Sequence, residues 1–322
     1  MMGMGTMSAT RTRLDAARWH WQHGPIDLIL GADGEPSAVQ AAYEACWTRF
    51  VGVLPELVGE LELLRQALPS QAAGSECGLK GEVARRMWRA CFPHRARYIT
   101  PMAAVAGSVA DELIAAFARP GVARAFINNG GDIALHLTEG QQYRVGVFAD
   151  LADLAERSGA RLTGEQALDA NLTLEPGLPI RGIATSGWRG RSFSLGIADS
   201  VTVLACNAAT ADAAATMIAN AVDCDYAGIV RRPASSLKDD SDLGNMPVTV
   251  EVPRLPPPLI DLALTRGAEA AQRLHERGLI ESAALFLQGR VRVVGMTRQG
   301  DALLTHRAQP PTEAPCSKYA AC

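Results

Sequence analysis

The chain has 322 residues, 48% of them hydrophobic and 20% charged, a composition typical of a globular protein that buries a core. Its net charge of −3 at pH 7 gives no overall positive field, so nucleic acid and anionic membrane surfaces are not expected as partners. Seven cysteines form no C-x-x-C pair, which argues against a structural zinc site and fits a reducing compartment. With no apolar signal-peptide core at its start and no apolar run long enough to span a bilayer, a cytoplasmic protein is expected.

The first elements predicted along the chain are two strands and two helices. The stretch "RWHWQHGPIDLILGADGE" predicts two short strands joined by a His-Gly-Pro turn. Residues 37–68 carry apolar side chains at helical spacing, and Pro55 is expected to kink or split that helix. After a loop over 69–80, "TPMAAVAGSVADELIAAF" predicts a helix with Thr100 as its N-cap and Pro101 in its first turn. Its small residues would let another backbone or a flat ligand approach closely.

The stretch "FINNGGDIALHL", residues 126–137, predicts a strand that a polar segment interrupts. We expect "YRVGVFA" to be its hairpin partner. Gly130 and Gly131 have two interpretations. They form a β-bulge with positive φ, or they leave the backbone bare where a ligand approaches.

The second half of the chain alternates strands and helices. Residues 151–178 predict a polar excursion, "RGIATSG" and "SVTVLAC" predict strands, and "ATADAAATMIANAV" predicts a helix. The strand "MPVTVEV", a helix over 257–277 that ends at Gly278, and the hairpin "SAALFLQGRVRVVGM" follow. Paired strands with helices between groups predict an α+β fold with mixed, mostly antiparallel sheets and packed helices. We expect a flexible N-terminus over 1–18, a single domain over 19–305 and a disordered tail over 306–322.

Two turns are candidate anion sites. Asn128–Asp132 could present backbone N–H groups to an anion. Thr185, Ser186 and Gly187 follow a strand, and their hydroxyls could hold phosphate or ribose oxygens, although an isolated T-S-G is also an ordinary turn. A nucleophilic Ser186 would need a nearby base, and no histidine is close in sequence.

Two acidic segments are candidate cation sites. Asp212 and Thr216 are four residues apart at the start of a helix, so their oxygens share one face and could bind Mg²⁺. The helix N-terminus would separately favour phosphate, and the alternative is that Asp212 only complements the helix dipole. The loop "DDSD", residues 239–242, could bind a cation or be a solvated loop.

Taken together and in this order, these motifs resemble the superfamily of FAD:protein FMN transferases (ApbE-like) over roughly residues 20–230. The patterns N-x-G-G-D-I, A-T-S-G and A-D-x-x-x-T fall on Asn128–Ile133, Ala184–Gly187 and Ala211–Thr216. No single motif is specific, but their order and spacing are. Such enzymes use Mg²⁺ to cleave FAD and attach FMN to a threonine hydroxyl of a target protein.

The resemblance implies a site and its partners. It makes FAD and Mg²⁺ the expected cofactors, with Asp212 and Thr216 as magnesium ligands. The expected partners are a flavin or other anionic small molecule, an acceptor protein and a second copy of the chain in a homodimer. The resemblance places the flavin or its phosphates against Asn129, Gly130, Gly131, Asp132, Thr185, Ser186 and Gly187.

The chain also departs from the transferase pattern. Where K-G-x-x-x-D has lysine, Ala106 precedes Gly107, and the H-x-I-D-P-x-T-G loop is replaced by "WRGRSFSLGIADSV". Arg189 or Arg191 could supply the missing positive charge and Asp199 the acid, so Asp212, Arg191 and Asp199 are the predicted catalytic residues. The chain therefore resembles an uncharacterised branch of the superfamily that lacks the lysine and this loop.

Three functions remain open at this point. One is a flavin transferase with a rebuilt site. Another is a hydrolase- or lyase-type enzyme that acts on a small anionic metabolite held by the arginines. The last is a flavin-binding protein without catalysis. All three are possible because proteins that share a fold can have different functions.

Overall fold

The computed structural model describes residues 8–70, 77–147 and 170–295 of the chain. The predicted tail over 306–322 and most of the predicted excursion over 151–178 lie outside these residues, so those predictions stay predictions. Among the described residues, no helix is both long enough and apolar enough to cross a lipid bilayer.

The centre of the fold is a nine-stranded sheet in the order β1-β2-β3-β4-β5-β8-β9-β12-β13. Every pair of neighbouring strands in it is antiparallel. Two further antiparallel pairs, β6-β7 and β10-β11, lie outside this sheet. The strands are β1 (Thr10–Arg13), β2 (Arg18–His23), β3 (Ile26–Gly34), β4 (Val122–Asn129), β5 (Asp132–Leu137), β6 (Tyr143–Val147), β7 (Ala170–Leu174), β8 (Gly182–Ser186), β9 (Ser200–Ala205), β10 (Val230–Pro233), β11 (Pro247–Glu251), β12 (Ser282–Leu287) and β13 (Arg290–Gly295).

Helices pack against this sheet, so the predicted α+β class is confirmed. The helices with the largest role at the site are α4 and α5, which contact each other as well as the sheet. Short 3-10 turns at 92–94, 101–104, 115–117 and 234–236 connect the elements. The helices are α1 (Pro36–Gly59), α2 (Leu61–Leu64), α3 (Glu82–Cys91), α4 (Val105–Ile114), α5 (Ala208–Ala221) and α6 (Pro257–Glu276).

The alternation of side chains along the strands builds a core on each face of the sheet. In β9, Val203 packs into the cluster that contains the alanines of α5, whereas Leu204 joins the cluster of Leu135 and Leu174. Successive side chains of a strand point to opposite faces, so adjacent residues belong to different cores. The β6-β7 pair covers the second core through Leu174.

One predicted hairpin is wrong. The stretch 126–137 is two strands, β4 and β5, which pair with each other, and β6 pairs with β7 instead. Gly130 and Gly131 form the two-residue turn between the paired Asn129 and Asp132, with φ of +65° and +115°. Turns with positive φ at both central residues match the twist of antiparallel strands, so the glycines reverse the chain rather than form a bulge.

Three smaller predictions also differ from the structure. Helix α1 continues past Pro55 to Gly59, because Val53 and Leu57 bury its apolar face on either side of the proline. Thr100 does not cap a helix through its side chain, and α4 begins only at Val105 after a 3-10 turn. Strand β1 lies within the stretch expected to be flexible.

Candidate active site

A pocket of about 260 Å³ lies where α4, β5, α5 and the loop 238–243 meet. We call it the front pocket. Four predicted site residues line it, although they come from three distant parts of the chain: Asp132, Arg191, Asp212 and Thr216. Ala106, which stands where the transferase pattern has lysine, lines it as well.

Helix α5 places Asp212 and Thr216 at the front pocket, and its first turn is already capped. The Asn207 side chain accepts a hydrogen bond from the Thr210 amide at 2.8 Å. The carboxylate of Asp111 in α4 accepts the Ala208 amide at 2.9 Å and the Ala209 amide at 2.8 Å. The expectation that this N-terminus binds phosphate is therefore wrong, because the protein's own side chains accept its first free amides.

The small residues of α4 allow a close approach of backbone to backbone. A Cβ on Gly107 would lie 2.3 Å from the carbonyl oxygen of Ala208 at the start of α5. At this contact the Gly107 amide donates a hydrogen bond of 2.9 Å to Oδ2 of Asp212, and the Ala106 amide also bonds to that carboxylate. The small residues were expected to admit either another backbone or a flat ligand, and at Gly107 the structure shows another backbone. The hydrogen bond from the Gly107 amide fixes the orientation of Asp212.

The two carboxyls of the front pocket repel each other. Burial, followed by the charge of Asp132, raises the pKa of Asp212 well above its usual value. Burial also raises the pKa of Asp132 to about 7, although the Thr185 amide and the Arg191 charge oppose that rise. Both carboxyls are therefore costly to ionise. The positive charge that the protein places beside them does not compensate for this cost, which is a common feature of functional sites.

The oxygens of this pocket fit a hard divalent cation. Asp212, Asp132 and Thr216 offer two carboxylates and a hydroxyl, and Mg²⁺ prefers oxygen ligands. Within 8–70, 77–147 and 170–295, no group of three or more His, Cys, Asp or Glu residues forms a complete metal site. The residues therefore suit a Mg²⁺ ion that keeps water or substrate oxygens in the rest of its shell.

Arg191 lies directly against the hairpin turn. A Cβ on Gly130 would lie 1.5 Å from Nη2 of Arg191, whereas a Cβ on Gly131 would meet nothing within 4 Å. The Gly131 amide donates to Oδ1 of Asn128 at 2.8 Å, which ties the turn to its own strand. The bare backbone at Gly130 therefore makes room for a guanidinium group, and that group faces the front pocket.

The A-T-S-G turn supports the pocket from behind, and none of Thr185, Ser186 or Gly187 is among the residues that line it. The Thr185 amide donates to Oδ1 of Asp132 at 3.3 Å, and its hydroxyl bonds to that of Thr202 at 2.9 Å. A Cβ on Gly187 would lie 2.3 Å from the carbonyl oxygen of Asp199. This turn therefore orients Asp132 and packs against a neighbouring chain segment.

The structure brings neither Asp199 nor Asn129 to the lining of the front pocket. The buried Asp199 accepts the Gln288 amide at 2.5 Å and the Trp188 indole at 3.2 Å, so it joins the segment around 188 to the turn between β12 and β13. The Asn129 side chain donates to the carbonyl oxygen of Ala106 at 3.1 Å. Both side chains position the walls of the site.

The loop 238–243 closes one side of the front pocket, a role that its sequence did not indicate. Arg65 binds Asp240 with 2.6 Å between nitrogen and oxygen. The Thr100 hydroxyl donates to the Asp242 carboxylate at 2.5 Å, and the Tyr98 hydroxyl donates to the Asp242 carbonyl at 2.6 Å. The carboxylates of Asp240 and Asp242, which were candidate cation ligands, are thus hydrogen-bonded to side chains from the first half of the chain.

The profile of the family described as "AbpE bacteria" matches residues 10–293. The chain belongs to that family. The ApbE-like resemblance drawn from the motifs is thereby confirmed.

Among sequence relatives, a UPF0280 protein of Methanothermobacter thermautotrophicus is 39% identical over 142 residues, which is 44% of this chain and 48% of that protein. A UPF0280 protein of Methanosarcina acetivorans is 34% identical over 208 residues, which is 63% of this chain and 72% of that protein. The chain spans about half the length of the first of these relatives.

Among solved structures, the chain is similar to the apo flavinyl transferase ApbE of Pseudomonas stutzeri, with 12% identity and a TM-score of 0.43 over 90% of this chain and 96% of that one. The flavin transferase ApbE of Vibrio cholerae gives 12% identity and a TM-score of 0.42 over 84% and 93% of the two chains. Likeness at this level does not locate a ligand in this chain.

Proposed function

We propose that this chain is an enzyme that binds FAD or another phosphate-bearing small molecule together with Mg²⁺ in the front pocket. Transfer of FMN to a protein hydroxyl is the first activity to test. The observation that carries the proposal is the convergence of Asp132, Asp212, Thr216 and Arg191 on one pocket. Membership of the AbpE family supports the same assignment.

In this proposal each side chain of the pocket has its own role. Asp212 and Thr216 hold Mg²⁺, which when bound would neutralise phosphate charge and stabilise the leaving group. Arg191 binds a phosphate oxygen through its guanidinium group. Asp132, whose carboxyl also lines the pocket, accepts the proton of the attacking hydroxyl.

The bond changes of the transfer balance with these residues. A new bond forms between the acceptor hydroxyl oxygen and the phosphorus of the FMN half of FAD. The pyrophosphate bond to the AMP half breaks, and AMP leaves with the electron pair. The hydroxyl proton passes to the Asp132 carboxylate.

The size of the front pocket favours a second candidate. Its volume of about 260 Å³ lies below the roughly 300–1,000 Å³ of sites that enclose drug-sized ligands. It would enclose only part of FAD, whereas it would enclose a smaller phosphorylated or carboxylated molecule entirely. A hydrolase- or lyase-type reaction on a small anionic metabolite is therefore the alternative, and a flavin carrier without catalysis is the third.

Calorimetric titration with FAD, FMN and AMP, each with and without Mg²⁺, tests the proposal. We expect binding that depends on Mg²⁺, and we expect Asp212→Asn to weaken it more than tenfold, about 1.4 kcal/mol, because one cation ligand loses its charge. Asp239→Asn is the matched control, because Asp239 lies in the neighbouring loop but does not line the pocket. Covalent FMN is then sought by mass spectrometry after incubation with FAD, Mg²⁺ and a candidate acceptor.

The outcomes separate the candidates. A mass increase equal to FMN minus one water on the acceptor, lost in Asp212→Asn, supports flavin transfer. Binding of flavin without transfer to any acceptor favours the carrier, and binding of small phosphates but not of FAD favours the alternative enzyme. No Mg²⁺-dependent binding of any of these molecules would overturn the proposal.

A further inference from the structure

A second cavity, of about 400 Å³, lies beside the C-terminal half of α5. We call it the rear cavity. It is formed by the segment that follows α3, by α5 and by the last turns of α6. Its volume falls in the roughly 300–1,000 Å³ range of small-molecule sites.

The floor of the rear cavity is apolar. Met217 and Leu274 are both buried, and Ala270 lies beside them on α6. Methionine and leucine side chains of this kind pack against the apolar body of a ligand. The floor alone would accept a neutral or a charged molecule.

The rim of the rear cavity is cationic. Arg97 comes from the segment after α3, whereas Arg273 and Arg277 come from the end of α6, and all three are exposed. In the part of the chain that the structure describes, no carboxylate lies within ion-pair distance of any of the three. The acidic lining residue Glu276 instead accepts a hydrogen bond from Gln272 at 3.0 Å.

The arginines of α6 also complement the negative end of that helix. That role does not extend to Arg97, which belongs to a different segment and faces the same cavity. Three exposed guanidinium groups around one cavity give it a positive potential that favours an anion, and Arg277 also donates a hydrogen bond of 3.1 Å to the carbonyl oxygen of Pro93. Their convergence from two segments therefore indicates a binding site for negative charge.

A buried histidine adds an unused polar atom to the wall. His94 lines the rear cavity with only 7% of its surface exposed, and its Nε2 has no hydrogen-bond partner among the described residues. Burial, followed by the charge of Arg277, lowers the pKa of His94 to about 4, so the imidazole is neutral at physiological pH. A neutral imidazole can donate from Nε2 to an anion, and a buried polar atom without a partner is costly.

We propose that the rear cavity binds a small organic anion. Its carboxylate or phosphate group lies among Arg97, Arg273 and Arg277, and its aliphatic or aromatic body packs on Met217 and Leu274. Arginine suits this role because its planar guanidinium binds both carboxylate and phosphate through paired hydrogen bonds. The site is separate from the proposed Mg²⁺ site, and it does not depend on the function proposed for the front pocket.

Met217 links the two pockets, because it lines both of them. It follows Thr216 in α5, so its side chain points to a different side of the helix from the proposed cation ligands. A ligand in the rear cavity would therefore contact a residue that also forms part of the front pocket. No step of the front-pocket reaction requires this contact.

Titration calorimetry with phenyl phosphate and benzoate tests the rear cavity, and benzyl alcohol serves as the neutral control. We expect saturable binding of the two anions and none of the alcohol. In the variant with both Arg97→Gln and Arg273→Gln, we expect the dissociation constant to rise about tenfold, since two exposed cation contacts are lost. Neither arginine makes a side-chain hydrogen bond or ion pair that holds described elements together, so the variant should fold.

Two further variants decide where the probe binds. Arg254→Gln removes an exposed arginine that lines neither pocket, and it should leave binding unchanged. Arg191→Gln alters the front pocket, and in titrations without Mg²⁺ it should also leave binding unchanged, because the front pocket then lacks the cation that it is proposed to need. The proposal is overturned if neither anion binds, if the double variant binds as well as the natural protein, or if only Arg191→Gln weakens binding.

Discussion

The front pocket and the rear cavity share helix α5 but have opposite charge. The lining of the front pocket includes four aspartates together with Arg65, Arg191 and Lys238, whereas the rear cavity contains three arginines and one glutamate. One helix can serve both because Asp212 and Thr216, four residues apart, share the face at the front pocket, whereas Met217 lies one position further round the helix and lines both pockets. In the two proposals, the front pocket needs a cation before it accepts an anion, whereas the rear cavity accepts an anion directly.

The two pockets also differ in how they are held together. Backbone contacts build the front pocket, since Gly107 touches Ala208 and donates to Asp212. Side chains of α6 and of the segment after α3 build the rear cavity. A change that moves α4 against α5 should therefore damage the front pocket first.

The largest effect is expected from Gly107→Ala. The new Cβ would lie 2.3 Å from the Ala208 carbonyl oxygen, and both groups are on packed helices that cannot yield without moving apart. We expect a loss of about 3 kcal/mol in the free energy of unfolding, measured by urea denaturation. We also expect Mg²⁺-dependent binding in the front pocket to weaken, because the Gly107 amide no longer orients Asp212.

Gly59→Ala is the control for this change. Gly59 is the last residue of α1, and a Cβ there would meet nothing within 4 Å. Alanine has a higher helix propensity than glycine, so the free energy of unfolding of the Gly59→Ala variant should be unchanged or slightly raised. Equal unfolding free energies for the two variants would contradict this prediction. So would a loss of ligand binding at the rear cavity as large as the loss at the front pocket, because only the front pocket depends on the backbone contact of Gly107.

The local elements of this fold could be predicted from the sequence. The hairpin of β2 and β3, the strands β8 and β9, helix α5 and the hairpin of β12 and β13 all follow from periodicity and from glycine or proline at their ends. Asp212 and Thr216, which the motifs singled out, line one pocket with Asp132, while their role as magnesium ligands stays a prediction.

The contacts that complete the site could not be predicted in this way. The bond between Thr100 and Asp242 joins residues 142 positions apart, and no local pattern marks either partner. The contact between Arg191 and Gly130 likewise joins residues that are distant in the sequence. The absence of a side chain at Gly130 leaves space for the Arg191 guanidinium group. Asp199 lies in the segment that replaces the transferase loop, but its burial and its bond to the Gln288 amide depend on the tertiary structure.

A smaller effect is expected at the rear cavity when the pH is lowered. His94 has a pKa of about 4 in the folded protein, against an ordinary value near 6.5, so the unfolded chain binds the proton more tightly. The stability that the neutral imidazole contributes is present above pH 6.5 and is lost as the pH falls toward 4. We expect about 2 kcal/mol of it to be lost between roughly pH 6 and pH 4.5 in denaturant titrations.

His94→Gln is the variant that isolates this contribution. Glutamine does not titrate, so the stability of the variant should depend less on pH between 6.5 and 4 than that of the natural protein. The size of the pH dependence is the readout, because it does not change when glutamine merely packs less well. Equal pH dependence in the two proteins would contradict the assignment of His94 as a buried neutral group.

The smallest effect on stability, but a selective one on binding, is expected from Gly130→Ala compared with Gly131→Ala. Both glycines have positive φ, so alanine at either position should cost about 1 kcal/mol, measured by thermal unfolding. Only Gly130 lies against Arg191, and a methyl group there would displace the guanidinium. We therefore expect Gly130→Ala to weaken phosphate binding in the front pocket severalfold, whereas Gly131→Ala leaves it unchanged. Equal binding by the two variants would show that Arg191 does not need the turn to reach its ligand, and the role assigned to Gly130 would then be wrong.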